Sequence, residues 1–267
     1  LNNAVMFYIG LGKYNEAWDA VTVFEKKYKS RKPDLAATTY FSAGYIYINE
    51  AKETNDPRMW EKVLKHYERY LKSYSKVRAL DEQVQAHVFI GDALRNQRKP
   101  DGARAEKAYR RALAIFDANG MEKVADNKRK VGMLNAAAKA RFHVAERKFE
   151  AFKKIEFPEY KPEKTIPKDV QKWWAKKVGP EQVKKEREAI KYYKLLVRWG
   201  EMKRKDANKE INMMRNTPQF DHWSETEFKP WTEATTAARI EAEDAFAAVA
   251  KMSVPEWEMA SAARAGD

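Results

Sequence analysis

The sequence contains no cysteine among its 267 residues. Without thiols the chain forms no disulfide, has no thiolate nucleophile and offers no zinc site that depends on sulfur. Glycine and proline number only ten each, fewer than an all-β or mixed fold of this length would use. No apolar run approaches the roughly 20 residues that a membrane span needs. These absences favour an all-α protein that meets a membrane, if at all, only at its surface.

The ends of the sequence predict a fragment of a longer protein. Leu1 lies inside a helical pattern, without an initiator methionine or a leader of the signal-peptide type, and the last residues follow directly on another helical pattern. We therefore expect any targeting signal to lie outside this sequence. The compartment stays open between the bacterial periplasm and the cytoplasm, because proteins of both can lack cysteine.

Motifs for catalysis and for cofactors are also missing. The four histidines lie on separate helical segments, never at a metal-ligand spacing, and the sequence has no His-Glu-x-x-His, Walker, Gly-x-Ser-x-Gly or Gly-x-Gly-x-x-Gly motif. Close carboxylate pairs such as Glu186 and Glu188 arise by chance in highly charged helices. The sequence therefore predicts no enzyme, no metal and no cofactor.

A two-part pattern recurs three times in the first 118 residues. Its first part places small residues between two bulky ones one helical turn away, as in Leu1-Ala4-Val5-Tyr8, Tyr40-Ala43-Gly44-Tyr47 and His87-Ile90-Gly91-Leu94. Its second part, after a polar turn, has the spacing of Ala17/Val21/Phe24, Val63/Tyr67/Tyr70 and Ala105/Tyr109/Ala112. Such helix pairs cannot bury their apolar stripes alone, so they are predicted to stack into a solenoid with a concave face.

These residues resemble the tetratricopeptide repeat (TPR) family over about residues 1–118. The positions that match by residue type are Tyr40, Ala43, Gly44, Tyr47, Ile90, Gly91, Tyr109 and Ala112. His87 replaces the usual aromatic residue, and Val5 stands where glycine is expected. The resemblance implies an α-solenoid of stacked antiparallel helix pairs that binds a protein or peptide partner.

The resemblance also implies which residues line the concave face, here called the predicted groove. They are Asn2, Met6, Ile9, Thr38, Phe41, Tyr45, Ile48, Asn49, Gln85, Val88, Asp92, Arg95 and Asn96. The apolar and aromatic members would supply affinity, and Asn49, Arg95 and Asn96 would orient the partner. Two alternatives remain open: the groove is free for a partner, or later helices of the same chain fill it. Asn2 stands where the family's carboxylate clamp has lysine, so no terminal carboxylate ligand is implied.

Composition divides the chain into three parts. Residues 1–155 are predicted to form the repeat domain, in which Ala137-Ala140-Arg141-Val144 is a candidate fourth first helix with Arg141 at the small position. Residues 156–167 form a proline-rich connector, and residues 168–267 form a helical extension. In that extension we predict one long helix from Pro180 to Met214, ended by Thr217-Pro218.

The last part of the extension hints at further repeats. Trp231…Ala237-Ala238-Arg239 resembles Trp257…Ala262-Ala263-Arg264, which suggests degenerate repeats that continue past the end of the sequence. This alanine-rich end and the segment from Ala140 to Glu146 also resemble, more loosely, the large multi-repeat TPR envelope proteins of gliding bacteria.

Charge is unevenly distributed along the chain. Residues 121–217 carry 27 Lys and Arg against 14 Asp and Glu, whereas residues 218–267 carry 4 against 10.

The main expectation for function is a non-enzymatic interaction scaffold, part of a larger assembly. The alternative is a basic module in residues 168–215 that binds nucleic acid or an anionic surface. Trp173, Trp174, Tyr192, Tyr193 and Trp199 would stack on bases there. The positive charge also suits an acidic protein partner, or a solvated helix face that acidic residues of the same chain balance. Nucleic acid is disfavoured, since lysine outnumbers arginine and RNA-binding motifs are missing.

Overall fold

The computed structural model describes residues 2–266, except the side chains of residues 2 and 265; Leu1 and the side chain of Asn2 thus lie outside it. The helices are α1 Asn2–Gly10, α2 Tyr14–Tyr28, α3 Pro33–Thr54, α4 Pro57–Ser73, α5 Leu80–Asn96, α6 Gly102–Asn119, α7 Asn127–Phe152, α8 Lys168–Val178, α9 Pro180–Trp199, α10 Arg204–Trp223, α11 Lys229–Ala250 and α12 Pro255–Ala265. A single π-helical turn, Ser224–Phe228, joins α10 to α11. No strand occurs in residues 2–266, which confirms the all-α prediction.

Helix boundaries follow from local chemistry. Pro33 and Pro57 occupy first-turn positions, where the missing N–H costs no hydrogen bond. The Asp56 carboxylate accepts from the backbone N–H of Arg58 at 2.9 Å and so caps α4. Gly12, with φ of 69°, takes the left-handed conformation in the turn after α1.

The chain forms two compact units, one of Leu1–Glu150 with Ile240–Asp267 and one of Ala151–Arg239. In the first unit, each of the helices α1 to α5 packs on the next, and the odd-numbered helices also touch, α1 with α3 and α3 with α5. Tyr40, early in α3, packs near Tyr74 beyond the end of α4, whereas Tyr47 packs near Lys62 close to its start. The helices α3 and α4 are therefore antiparallel.

In two helix pairs, a tyrosine ring of the second helix packs against a glycine of the first helix. A Cβ added at Gly44 would lie 2.5 Å from Cζ of Tyr67, and one added at Gly91 would lie 2.5 Å from Cε1 of Tyr109. Tyr67 and Tyr109 are buried. Glycine thus allows the close helix approach that the sequence pattern predicted for these pairs.

The helix α7 follows α5 as the next member of this row. Equivalent contacts set the register of these helices. Tyr45, the residue after Gly44 on α3, bonds Gln85 of α5. Asp92, the residue after Gly91 on α5, pairs in the same way with Lys139 of α7. Gln85 precedes Gly91 by six residues, and Lys139 precedes Ala145 by six. Ala145, fully buried, therefore occupies the small position. The prediction that Arg141 stands there was wrong by four residues, one turn of the same helix.

The second half of α11 packs on α7. Phe246 lies 5.9 Å from Phe142 between ring centroids, and Lys148 lies 2.8 Å from Glu241, so the two helices are antiparallel. Ala242, Phe246 and Val249 are buried and have the spacing of the second-helix pattern. The partner helix of α7 thus comes from sequence beyond the second unit, a pairing that the sequence did not reveal.

The second unit contains α8, α9 and α10, which pack on one another. The predicted single helix from Pro180 to Met214 is wrong, since α9 ends at Trp199 and α10 begins at Arg204. Gly200, with φ of 80°, ends α9 by donating its N–H to the carbonyl of Leu196. A seven-residue repeat cannot distinguish one long helix from two helices that pack together.

Proline does not end α10 either, contrary to the predicted stop at Thr217-Pro218. Pro218 is buried inside the helix, which continues to Trp223. Side chains on both sides bond to carbonyls of the preceding turn: the Thr217 hydroxyl donates to Met213 O at 3.0 Å, and Gln219 Nε2 donates to Arg215 O at 3.2 Å. Side-chain donors thus stabilise the turn in which the proline N–H is missing. Gln219 also bonds Glu163 of the connector, which has no helix between residues 155 and 167.

Candidate protein-binding concavity

The apolar members of the predicted groove divide between core and surface. Phe41 and Val88 are buried, as are Ile9 and Ile48. The Phe41 ring packs against Tyr67 and Phe89, with centroids 5.5 and 6.2 Å away. Met6 is 45% exposed on α1. Most of the apolar members therefore stabilise helix packing rather than face solvent.

Two polar members on α3, Thr38 and Tyr45, bond to α5. The Thr38 hydroxyl donates to Glu82 Oε1 at 2.6 Å, and the Tyr45 hydroxyl donates to Gln85 Oε1 at 3.3 Å. Burial raises the pKa of Tyr45 to about 12, so its hydroxyl stays protonated as a donor. Asn49 is half-buried, and its amide has no hydrogen-bond partner among residues 2–266. Asn49 is thus the member whose donors and acceptor stay available.

Glu82 joins three odd-numbered helices beneath this face. Its carboxylate accepts from Thr38 on α3 and from the Tyr70 hydroxyl at 2.5 Å, and it lies 3.4 Å from Arg129 of α7. Burial raises the pKa of Glu82 despite these donors. Arg129 also pairs with buried Asp81 at 2.6 Å. These buried acids hold α7 against α5 and serve packing.

The polar members on α5 bond to α6, to α7 or to α5 itself. Asp92 accepts from Lys139 at 2.6 Å and from the Tyr109 hydroxyl at 2.7 Å. Arg95 lies against His143 and 3.5 Å from Glu146, and the Asn96 amide donates to the Asp92 carbonyl of its own helix at 2.8 Å. The hydrogen bond from His143 holds the pKa of Glu146 below its usual range. The helix α7 therefore engages Asp92 and Arg95.

A concavity remains open between these helices, with a volume of about 390 Å³. Its lining consists of Ile48, Lys52, Trp60, Phe89, Asp92, Arg95, Asn96, Lys139, His143 and Trp257. We call it the α3–α5–α7 concavity. It brings together four residues of the predicted groove, Ile48, Asp92, Arg95 and Asn96. The other groove residues with described side chains lie outside its lining: Met6, Ile9, Thr38, Phe41, Tyr45, Asn49, Gln85 and Val88.

The remaining lining residues were missed by sequence reasoning. Trp60 lies in the first turn of α4, Lys139 lies on the candidate fourth first helix, and Trp257 lies on α12, beyond the three repeats of the sequence pattern. Trp257 packs 5.3 Å from Phe142, which fixes the position of its ring. Its spacing from Trp231 hinted at a repeat but not at this concavity.

The concavity combines aromatic surface with positive charge. Trp60, Phe89 and Trp257 are half-buried, so each ring keeps an exposed part. Lys52 is exposed and has no ion-pair partner in the described part of the chain, unlike Lys139, which Asp92 neutralises. Such a site suits an apolar side chain beside an acidic one.

Within residues 2–266, no group of three or more His, Asp or Glu side chains is arranged to hold a metal ion. The described helices are also too polar or too short to cross a bilayer. No known family model matches the sequence, and comparisons with curated proteins and with solved structures find no significant match.

Proposed function

We propose that this chain is a non-enzymatic protein–protein interaction scaffold of TPR-like solenoid type, part of a larger assembly, which binds an extended acidic peptide segment in the α3–α5–α7 concavity. The sequence pattern and the row of odd-numbered helices support the solenoid. The concavity is the single observation that carries the binding role, because it is lined from five helices and opens to solvent.

The lining indicates how a peptide would be held. An apolar side chain of the peptide would pack between Trp60, Phe89 and Trp257, where aromatic surface gives contact area at low entropic cost. A carboxylate of the peptide would pair with Lys52, the unneutralised cation. The free amide of Asn49, one turn before Lys52, would bond the peptide backbone.

The chemistry of the other polar groups favours binding over catalysis. Glu82 and Asp92 are buried and fully occupied by donors from neighbouring helices. Tyr70, with its pKa raised by burial, donates to Glu82 and so is a structural donor. These groups therefore support the fold.

Selection from a random peptide library tests the proposal, because no partner needs to be known in advance. We expect enriched peptides with acidic and aromatic or aliphatic residues close together. Their affinity, measured by fluorescence anisotropy, should fall roughly tenfold in Lys52→Glu, as a charge pair is replaced by a repulsion. Lys26→Glu, an exposed change on α2, is the matched control and should bind like the wild type.

Two outcomes would overturn the proposal. One is the absence of any enriched peptide. The other is equal affinity of the selected peptides for wild type, Lys52→Glu and Lys26→Glu, with circular dichroism showing that all three are folded.

A further inference from the structure

One face of α9 carries a stripe of exposed cations. They recur at intervals of three and four residues and are Lys184, Arg187, Lys191, Lys194 and Arg198. At 1.5 Å per residue the stripe is about 21 Å long. Residues at this spacing lie on the same side of a helix, so their charges act together.

A second stripe of exposed apolar side chains runs beside it. Tyr192, Leu195 and Trp199 are 55%, 38% and 59% exposed. Each directly follows a cation of the first stripe, so the two stripes are adjacent. Large apolar side chains clustered in solvent usually mark an interaction site.

The opposite side of α9 packs inside the second unit, which determines that the two stripes face solvent. Trp174 Nε1 donates to Glu186 at 3.0 Å, and Ile190 and Val197 are half-buried. The helix contacts both α8 and α10. The two stripes therefore lie on the side away from those contacts.

The cations of the stripe lack ion-pair partners among residues 2–266. Lys177 of the same unit differs, since it pairs with Asp221 at 3.3 Å and with Glu225 at 2.6 Å. The helix α9 carries six Lys and Arg against three Glu. Trp174 engages Glu186, and the exposed Glu181 and Glu188 are too few to neutralise the stripe. The stripe is thus a positive surface that attracts an anionic partner.

We propose that α9 binds the surface of an anionic lipid bilayer, lying in the plane of the interface. Tyr192, Leu195 and Trp199 insert between headgroups, since tryptophan and tyrosine prefer this depth. The cations pair with lipid phosphates, with their aliphatic stems along the apolar boundary.

Two observations favour lipid over other anions. Leu195 lies at the centre of the apolar stripe and has no aromatic ring on which a nucleic-acid base could stack. Its side chain partitions readily into lipid acyl chains. A stable protein interface also involves roughly 20–30 residues from each partner. The apolar stripe has only three apolar side chains over two turns. A bilayer needs no such area, because charge and shallow insertion add together.

Co-sedimentation of the full chain with vesicles tests this site. The vesicles are phosphatidylcholine with about one quarter phosphatidylglycerol, and pure phosphatidylcholine for comparison. We expect binding only to the anionic vesicles, weakening as salt rises from about 50 to about 300 mM. The triple variant Lys191→Gln, Lys194→Gln, Arg198→Gln should lower the partition coefficient roughly 100-fold, since each surface charge contributes about a factor of five.

Matched variants separate this site from net charge. Lys26→Gln, Lys27→Gln, Arg31→Gln removes three exposed charges from the first unit and should bind within about twofold of wild type. Leu195→Ser with Trp199→Ser should weaken binding but keep its salt dependence. Circular dichroism checks that each variant is folded.

Three results would overturn the proposal. The first is no binding to anionic vesicles, and the second is equal loss in the stripe variant and its charge-matched control. The third is a single-stranded oligothymidine that binds more tightly than the vesicles and displaces the chain from them, which would assign the stripe to nucleic acid.

Discussion

Lys139 Nζ lies 2.6 Å from Asp92 Oδ2 and so ties α7 to α5. The Tyr109 hydroxyl of α6 donates to the other oxygen of the same carboxylate at 2.7 Å. Asp92 is only 7% exposed, so its carboxylate is hydrogen-bonded by these two donors rather than by bulk water. One aspartate therefore connects three helices at the base of the α3–α5–α7 concavity.

Replacing this carboxylate should be costly. Asp92→Ala leaves the Tyr109 hydroxyl and the Lys139 ammonium without an acceptor, so we expect the free energy of unfolding to fall by about 2–4 kcal/mol. Lys139→Met should cost less, because the lysine side chain is 32% exposed. In urea denaturation the double variant should lose less than the sum of the single variants. Additive losses would show that the pair is not coupled.

Glycine at the helix crossings is a second test. Gly91→Ala would place a methyl group 2.5 Å from the Tyr109 ring, so the helices must separate, at a cost of about 1–3 kcal/mol. Gly10→Ala is the control, since nothing lies within 4 Å of its added Cβ; alanine there should be neutral or stabilise by about 0.5 kcal/mol. Thermal unfolding of both variants measures the difference, and similar melting temperatures would contradict the crossing.

The pairing of α7 with α11 makes a third prediction. Phe246 is 3% exposed and packs against Phe142 and Phe149. Phe246→Ala should reduce stability by about 3–5 kcal/mol, as expected for a buried ring. Ile240→Ala on the same helix, where isoleucine is 46% exposed, should change it by less than about 0.5 kcal/mol. Equal effects in chemical denaturation would mean that α11 does not bury Phe246 against α7.

A buried histidine predicts acid sensitivity. His66 is 4% exposed, stacks on Tyr40 with centroids 4.4 Å apart, and lies with Nε2 2.9 Å from the Tyr40 carbonyl. Burial lowers the pKa of His66 from 6.5 to about 4. The unfolded chain therefore binds the proton first, and this contribution to stability, complete above pH 6.5, is lost as the pH falls toward 4.

The size of this effect can be measured by variant comparison. By pH 5 the loss from His66 should reach about 2 kcal/mol. His66→Phe removes the titrating group, so its stability should change less between pH 7 and pH 5 than that of the wild type, whatever its absolute value. Parallel pH profiles of wild type and variant in urea denaturation would contradict a neutral buried histidine.

Much of the fold was predictable because short-range patterns determine it. The spacing of Gly44 and Gly91 against Tyr67 and Tyr109 correctly indicated which helices approach closely. The partner of α7 was not predictable. Ala242, Phe246 and Val249 lie after the whole second unit in the sequence. Their second-helix spacing can be assigned to α7 only when Ala145 is known to be the small residue of that helix.

The candidate site was less predictable than the fold. Repeat positions identified Asp92, Arg95 and Asn96, which line the concavity, but hydrogen bonds to α7 and to α5 itself engage them. Lys52 and Trp257 were not predicted as site residues, because their place in the concavity depends on which helices meet and not on local sequence. The break at Gly200 shows the same limit: the apolar period continues through it, and only the left-handed backbone reveals the end of α9.

Photo-cross-linking tests binding in the α3–α5–α7 concavity most directly. Benzoylphenylalanine is placed at position 96, on its rim, or at position 31, an exposed site on the turn after α2, and each protein is irradiated with a library-selected acidic peptide. The account predicts cross-links to the peptide from position 96 and none from position 31. Cross-links of equal yield from both positions, or from position 31 alone, would contradict it.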